Sequence, residues 1–352
     1  MSSVRACLVA LGVLVSAPLL SAHGRKPASG GQEAGSLVWP PPPAQACIKW
    51  TAEYRNEFDV GAKKRHSFLD RLAGKGQDAL WLTRPLSVAV DERGVMYVGD
   101  FGLGIVGLDV AKHRFWLFSQ VSKMGLGTPA GLAVDSKFVY ATDANSNTLA
   151  VFDKEGHFLQ QLGPNDGLNR PVGVAVDEAR DLLLVVNGGA HNLLLFNRSL
   201  KLLKKIGQRG DKPGQFNFPT YCCFVPGTGF AVSDTGNFRV QLFDDNGKFI
   251  RSFGKVGNTS GTFARPKGVA VDPDGHLYVI DASFGNFQIF RQDGQILTAV
   301  GSTGGEKGMF EVPSDIAITH DGRIYVADEM NRRLQTFQYL GDPDKGKGKP
   351  KP

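Results

Sequence analysis

The chain has 352 residues, 42% of them apolar, and it is rich in glycine (44 residues) and phenylalanine (23 residues). This composition is typical of an all-β protein with many turns and a substantial core. The net charge of +6 is mostly terminal, because residues 1–48 and 341–352 carry +2 each and the 292 residues between them only +2. A body this close to neutral lacks a basic surface that neutralises phosphates, so we expect no nucleic-acid partner.

Residues 1–22 have the pattern of a signal peptide. Arg5 precedes the apolar stretch Ala6–Leu20, and Ala22 supplies a small residue at a cleavage position. The stretch is shorter than the ~20 residues that span a bilayer, so we expect no stable membrane span after signal removal. The sequence therefore predicts export to the periplasm or the extracellular space, with an anchor formed by an uncleaved signal as the alternative.

The segments that follow differ in character. Residues 23–46 contain "PASGG" and "WPPPPA", which predicts a stiff linker without a core of its own. Residues 47–58, "CIKWTAEYRNEF", are strand-like, and residues 63–74 place apolar side chains on one face of a short helix. We assign residues 47–340 to one repeat domain whose units begin at about residue 80, and residues 341–352 to a disordered lysine-rich tail.

Nearly the same pattern recurs six times, as in "RPLSVAVDERGVMYVGD" and "RPKGVAVDPDGHLYVID". Each unit begins at a proline and closes on a polar residue, and both markers recur every 42–48 residues. The prolines are Pro85, Pro129, Pro171, Pro219, Pro266 and Pro313, and the closing residues are Asp100, Asp143, Asn187, Asp234, Asp281 and Asp328. Markers that share one period indicate a repeat array.

Each unit has room for four strands. In the fifth unit, "GVAVD" and "HLYVID" flank an Asp-Gly turn, and "FQIFRQ" and "ILTAVG" flank a second glycine-bearing turn. One phenylalanine of the third strand keeps the same period from the second unit onward: Phe152, Phe196, Phe243, Phe290 and Phe337. Four antiparallel strands per unit are typical of a β-propeller blade, so six units predict an all-β, six-bladed β-propeller.

The pattern "RPxGVAVDxxGxLYVxDxxNxRxQxF" resembles the NHL repeat, most clearly in "FAVSDTGNFRVQLF" and "IYVADEMNRRLQTF". The resemblance extends over about residues 80–340, and with the signal pattern it is similar to exported, bacterial-type NHL proteins. It implies a six-bladed ring. It also implies two classes of function, because some six-bladed relatives are binding scaffolds and others are calcium- or zinc-dependent lactonases or peptide-amidating lyases.

The sixth unit stops one strand short, after "RRLQTFQYL" at Leu340. A ring with a missing outer strand would leave an unpaired sheet edge. We therefore predict that the strand-like segment 47–58 supplies the fourth strand of the last blade. This latch strand would close the propeller by pairing the two ends of the chain.

Three cysteines follow the signal region, namely Cys47, Cys222 and Cys223. An odd number allows at most one internal disulfide plus a free thiol in an oxidising compartment. The adjacent pair stands where the fifth unit has Val269-Ala270, which favours two small core residues.

The sequence contains no convincing set of catalytic residues, metal ligands or cofactor-binding residues. The closing Asp and Asn residues occur once per blade, so we expect them to bond backbone amides in six separate turns. The residue two positions after each repeat proline should lie near the central channel, and glycine occupies three of the six positions. Tyr221 and Asp315 are the most informative departures from glycine there, and only Asp315 is a strong metal ligand.

A binding surface is predicted on the face that carries the loops between second and third strands. Exposed aromatic and arginine side chains in such loops suit protein recognition, so we expect a protein partner and a monomeric propeller. The candidates are Phe101, Asn147, His191, Asn237, Arg239, Phe284, Asn286, Asn331 and Arg333, with Arg84, Arg170 and Arg265 before three of the prolines. Asn237, Arg239, Asn331 and Arg333 recur within the repeat, so bracing of the blades is the alternative.

Overall fold

A computed structural model describes residues 37–62, 79–118 and 127–341. The N-terminal strands are β1 (Val38–Trp39) and β2 (Ile48–Tyr54). Blade 1 contains β3 (Pro85–Val90), β4 (Met96–Asp100), β5 (Gly104–Asp109) and β6 (Arg114–Leu117). Blade 2 contains β7 (Pro129–Val134), β8 (Phe138–Asp143), β9 (Thr148–Asp153) and β10 (Phe158–Leu162). Blade 3 contains β11 (Pro171–Asp177), β12 (Leu182–Asn187), β13 (Asn192–Asn197) and β14 (Leu202–Ile206).

The remaining blades repeat this arrangement. Blade 4 contains β15 (Cys222–Val225), β16 (Gly229–Asp234), β17 (Arg239–Phe243) and β18 (Phe249–Phe253). Blade 5 contains β19 (Pro266–Val271), β20 (Leu277–Asp281), β21 (Asn286–Phe290) and β22 (Ile296–Val300). Blade 6 contains β23 (Pro313–Ile318), β24 (Arg323–Asp328) and β25 (Arg333–Tyr339). All pairings between these strands are antiparallel, so the described residues form the predicted six-bladed, all-β propeller.

Each blade is a meander whose turns follow directly from the sequence. In blades 1, 4, 5 and 6 the turn between first and second strands places glycine at positive φ, for example Gly94 at +80° and Gly275 at +85°. Glycine adopts this conformation without the steric cost of a Cβ atom. The two apolar strands on either side then pair in register, as in Val269 with Val279.

The core is divided into six clusters, one in the wedge between each pair of neighbouring blades. Phe152 contacts residues of blade 1, and Phe337 contacts residues of blade 5. The third-strand phenylalanines are thus the side chains that join one blade to the preceding one. Leu108 takes this position in blade 1 and packs against Tyr325 of blade 6, so the wedge series is continuous around the ring.

The ring is closed by the N-terminal segment, as predicted. Strand β2 pairs with β25, with Ile48 opposite Tyr339 and Glu53 opposite Gln335, and supplies the fourth strand of blade 6. The sequence predicted a linker through residue 46, but β1 adds a fifth strand outside β2. The ring of Trp39 packs 5.8 Å from that of Phe337, which explains why this segment joins the blade.

Several predicted segments lie outside the described residues: the signal peptide of residues 1–22, the helix of residues 63–74 and the tail from residue 342. Across 37–62, 79–118 and 127–341, no helix has the length and apolar character needed to cross a bilayer.

Removing one buried side chain of the latch strand should destabilise the whole ring. Ile48 is fully buried in the cluster between blades 5 and 6. We expect Ile48→Ala to lower the free energy of unfolding by about 2–4 kcal/mol, the usual cost of a large-to-small change in a core. Lys49→Ala, at the exposed neighbouring position, should change it by less than about 0.5 kcal/mol. Equal denaturation midpoints for both variants would contradict closure by this strand.

Candidate functional site

The loops between second and third strands and the segments that lead into the first strands lie at one end of every blade. We call this end of the ring the upper face. The two kinds of loop touch each other there, since Phe101 donates its backbone N–H to Arg84 O at 3.0 Å and Ala282 donates to Arg265 O at 3.1 Å. Side chains from both kinds of loop can therefore contribute to one surface.

The closing Asp and Asn residues of the repeats hold these two kinds of loop together. Asp100 accepts N–H groups from Thr83 and Arg84 of the incoming segment and from Gly102 and Leu103 of the following turn. Asp143 and Asp281 make the same kinds of bonds in blades 2 and 5. Asn187 does so in part, through the N–H of Asn169. These side chains are buried in separate blades, so the expected structural role of the ring of closing residues is confirmed.

Four of the predicted binding residues are held within the blades. Arg239 donates to Asp234 at 2.9 Å and to the carbonyls of Lys212 and Gln215. Asn237 donates to the same carboxylate at 2.8 Å. These bonds join the incoming segment of blade 4 to its second and third strands. Their donor groups are therefore occupied by the bracing role that the repeat suggested.

Blade 6 repeats this bracing and extends it to the latch strand. Arg333 is buried and donates to Asp328 at 2.7 Å and to Glu53 of β2 at 2.8 Å. Asn331 donates to Asp328 at 2.9 Å. Breaking a buried pair of this kind leaves an uncompensated charge, so Arg333 ties both chain ends together.

Asn286 and Phe284 contribute less surface than the sequence suggested. Asn286 pairs with Asp281 at the start of β21, and its Oδ1 is buried without a hydrogen-bond partner within the described part of the chain. Phe284 is half-buried and donates its backbone N–H to Asp281. A binding role for these two residues stays a prediction.

His191 lies beneath an exposed aromatic side chain that the sequence analysis missed. Its ring is buried, its Nδ1 accepts the backbone N–H of Phe218 at 3.1 Å, and the two rings are 4.4 Å apart. Phe218 is 51% exposed and has a φ of +46°. The segment "NFPT" gives no sequence signal for this orientation, because it depends on the histidine from the neighbouring blade.

Phe101 is presented on the upper face as expected, with 48% of its surface exposed. The guanidinium of Arg84 lies 5.1 Å from the centre of its ring, and the same guanidinium pairs with Glu329 of blade 6. Met330, the next residue, is 52% exposed. An apolar surface and a charged pair therefore meet where blade 1 adjoins blade 6.

Tyr221 closes the upper end of the central channel. Its hydroxyl lies 3.1 Å from Leu86 O and 3.0 Å from Ala130 O, so a side chain of blade 4 reaches across the axis to blades 1 and 2. Burial raises the pKa of this phenol well above its usual range, so it remains a donor. Glycine cannot make this bridge, which explains why the repeat departs from glycine here.

Asp315 joins the last blade to the first at the hub. Its Oδ2 accepts the N–H of Val88 at 3.0 Å, and its Oδ1 accepts the N–H of Ile316 at 2.8 Å. Burial raises the pKa of this carboxyl to about 7, although the two N–H groups and the charge of Lys267 act in the opposite direction. Gly268 permits the close approach of blade 5, since a Cβ there would lie 2.8 Å from Cα of Asp315.

Below this level the inner strands line a cavity of about 250 Å³. The lining extends from Tyr221 and Asp315 to the lower strand ends at Val90 and Ile318, and it includes Cys222 and Cys223. The two cysteines form no disulfide with each other. Cys222 is buried as expected, whereas Cys223 is half-buried and packs against the cluster between blades 4 and 5. Burial raises the pKa of Cys223 to about 12, so both sulfurs are protonated and weakly nucleophilic.

The residues at the hub do not fit the calcium or zinc ion that the resemblance to six-bladed enzymes implied. In the described ranges, no group of three or more His, Cys, Asp or Glu side chains is close enough to hold an ion. Asp315 is the carboxylate that the sequence singled out, and both of its oxygens accept backbone N–H groups. We therefore derive no metal-dependent step at this position.

Lys267 and Glu329 are the two charged groups near the mouth that the sequence analysis did not select. Lys267 Nζ lies 3.6 Å from Glu329 Oε2, and burial of the ammonium lowers its pKa. Lys267 directly follows the repeat proline of blade 5, whereas Glu329 directly follows the closing aspartate of blade 6. At each of these two positions the other five units carry different residues. This difference is the sequence signal that could have identified Lys267 and Glu329.

The raised pKa of Asp315 predicts an unusual pH dependence of stability. The folded protein holds more protons than the unfolded chain between about pH 4, the ordinary carboxyl pKa, and pH 7. Stability from this group should therefore fall as pH rises through that window and stay level above it. The variant Asp315→Asn keeps an acceptor for the N–H of Val88. We expect its gain in melting temperature over wild type to be larger at pH 8 than at pH 5.

Asp293→Asn, on an exposed turn of blade 5, is the matched control and should leave the pH profile of melting unchanged. Parallel pH profiles for wild type and Asp315→Asn would show that the carboxyl titrates normally.

Comparison with known proteins agrees with this architecture. The family model of the NHL repeat matches residues 263–291, which include β19 to β21. A solved structure of a protein of unknown function from Bacteroides thetaiotaomicron is similar with a TM-score of 0.57 and 18% identity, covering 73% of this chain and 70% of that one. A streptogramin B lyase has a TM-score of 0.54 and 14% identity, covering 73% of this chain and 93% of that one.

A catalytically inactive virginiamycin B lyase from Staphylococcus aureus, solved with quinupristin, has a TM-score of 0.51 and 12% identity, covering 74% of this chain and 96% of that one. Identities this low show the fold alone. Together with the sheet topology and the matched repeat, they identify the chain as a six-bladed β-propeller with an NHL repeat in its fifth blade.

Proposed function

We propose that this protein is a non-enzymatic, exported scaffold whose upper face binds a protein partner. The observation that carries the proposal is the exposure of Phe101, Phe218 and Met330 on this one face, each with about half of its surface accessible. Large side chains of this kind dominate binding energy at protein interfaces. The apolar side chains inside the wedges are by contrast fully buried.

Two of these exposed side chains are held in place by contacts with the residues beneath them. Such fixed positions favour a role in recognition over incidental exposure to solvent. Arg84 lies against the ring of Phe101 and pairs with Glu329, and His191 supports Phe218 by a ring contact and a hydrogen bond. Pre-ordered side chains lose less conformational entropy when a partner binds. The upper face therefore offers a rigid surface at which a partner can pack aromatic and apolar groups.

Export and partner class rest on the sequence. The signal pattern of residues 1–22 supports secretion to the periplasm or the extracellular space. The near-neutral body supports a protein partner over a nucleic acid, since phosphate binding needs a dense basic surface. The last blade takes its strands from both ends of the same chain, so the ring closes without a second copy. This supports a monomeric propeller.

Capture from the exported fraction tests the scaffold role. Tagged protein should retain a reproducible partner, and Phe101→Ala and Phe218→Ala should each reduce capture at least tenfold. Ile250→Ala, an exposed apolar residue on the outer strand β18, is the matched control and should retain it. A partner held equally by all four proteins would show that the upper face is not the binding surface.

A lyase or hydrolase is the second candidate function. It is favoured by one observation, a carboxyl with a pKa of about 7 beside a cavity of about 250 Å³, because such a group can exchange protons near neutral pH. The structural similarity to streptogramin and virginiamycin B lyases agrees with it at the level of fold. A calcium- or zinc-dependent reaction, as in six-bladed lactonases and peptide-amidating lyases, belongs to the same alternative.

An activity screen separates the two functions. We expect no turnover of quinupristin, of lactones or of peptide-amidation intermediates, with or without added calcium and zinc. Turnover that disappears in Asp315→Asn but persists in Asp293→Asn would replace the scaffold by an enzyme.

A further inference from the structure

Cations recur at one register around the upper mouth of the channel. Arg84, Arg170 and Arg265 precede the repeat prolines of blades 1, 3 and 5, and all three are exposed. Lys267 lies two residues after Arg265, and the charge of Arg265 contributes to lowering its pKa. The mouth therefore has a positively charged rim, although the body of the protein is close to neutral.

One carboxylate serves two of these cations. Glu329 pairs through Oε1 with Arg84 and through Oε2, at 3.6 Å, with Lys267. Its side chain is only 7% exposed, so it lies beneath them. Glu329 therefore balances one of these two charges, and the Asp315 carboxyl, with a pKa raised to about 7, balances only part of the other near neutral pH.

The donor groups of these cations are incompletely used. The side chain of Lys267 is 15% exposed, and its ammonium, which has three N–H donors, is paired with Glu329 Oε2 at 3.6 Å and has no further hydrogen-bond acceptor among the described residues. Arg84 uses one of its nitrogens on Glu329, and Arg265 has no side-chain partner among the described residues. A largely buried ammonium held by one ion pair leaves N–H donors unused, and a buried donor without an acceptor is costly, which indicates a place for a further anion.

The nearby carboxylates cannot take this role. Asp315 is occupied by the N–H groups of Val88 and Ile316. Asp100 and Asp281 are fully buried and accept backbone N–H groups of their own loops. The missing anion must therefore come from outside the described part of the chain.

We propose that Arg84, Arg265 and Lys267 form a carboxylate-binding subsite at the channel mouth, which receives an aspartate or glutamate side chain of the protein partner. The guanidinium groups can donate two N–H bonds to one carboxylate, and Lys267 adds a point charge. Exposed Phe101 lies against Arg84, and exposed Met330 directly follows Glu329, so the recognised segment carries an acidic residue next to apolar ones. This inference rests on the scaffold function and specifies the chemistry of its partner.

A defined peptide tests the subsite without knowledge of the partner. Fluorescein-labelled hexaglutamate should bind the full-length protein at low salt, and hexaglutamine should bind at least tenfold more weakly. Lys267→Met and Arg84→Gln should each weaken hexaglutamate binding about tenfold. Arg323→Gln, a half-exposed arginine in the first turn of blade 6 on the opposite face, is the matched control and should change it less than twofold.

Several results would overturn the subsite. These are no binding of hexaglutamate to wild type, equal binding of both peptides, or equal losses in the Arg323 and Lys267 variants. Oligouridylate that binds tighter than hexaglutamate and is lost in Lys267→Met would assign the cations to nucleic acid instead.

The same variants separate this inference from the scaffold function. Partner capture that is lost in Phe101→Ala but intact in Lys267→Met would leave the scaffold role standing without a carboxylate subsite. Capture that is insensitive to Phe101 and Phe218 would remove the scaffold role on the upper face, whatever the peptide result.

Discussion

The propeller depends on one sheet built from both ends of the chain. Strand β2 pairs with residues 334–339 of β25, and Arg333 links Asp328 of the repeat to Glu53 of the latch strand. Opening the ring requires the rupture of this ladder and the exposure of a buried charge. The hub depends on the same closure, because Asp315 of the last blade bonds Val88 of the first.

The residues that repeat most regularly are used by the architecture. Closing aspartates gather the N–H groups of two loops, and third-strand phenylalanines fill the wedges. In blades 4 and 6 the asparagine and arginine of the "NxR" pattern also hold the closing aspartate. A binding function is therefore to be sought where a unit departs from its neighbours. Tyr221, Lys267, Asp315 and Glu329 are such departures, and all four lie around the channel mouth or directly below it.

The upper face combines two kinds of surface with different physical roles. Phe101, Phe218 and Met330 provide apolar area, which drives association and carries little directional preference. Arg84 and Lys267 provide charge that is only partly neutralised by Glu329, which selects among partners through electrostatic complementarity. Tyr221 separates this surface from the cavity below, so binding above and any chemistry below involve different groups.

The fold was readable from the sequence because its markers are local. Period, turn glycines and strand alternation depend on residues close together in the chain, and even the latch strand followed from counting strands per unit. The upper-face surface was only partly readable: Phe101 and Arg84 were selected, whereas Phe218 and Lys267 were not. Asn237 and Arg239 were selected for a binding surface with bracing of the blades as the alternative, and their bonds to Asp234 show the bracing.

The sequence by itself determined that six similar sheets form a ring closed by its N-terminal strand. Only the tertiary structure decided which polar side chains are occupied, and that Tyr221 reaches across the axis to carbonyls of blades 1 and 2. The physical reason is that the repeat period fixes which face of its blade each side chain lies on. Burial and charge pairing instead arise between blades whose residues lie far apart in the chain.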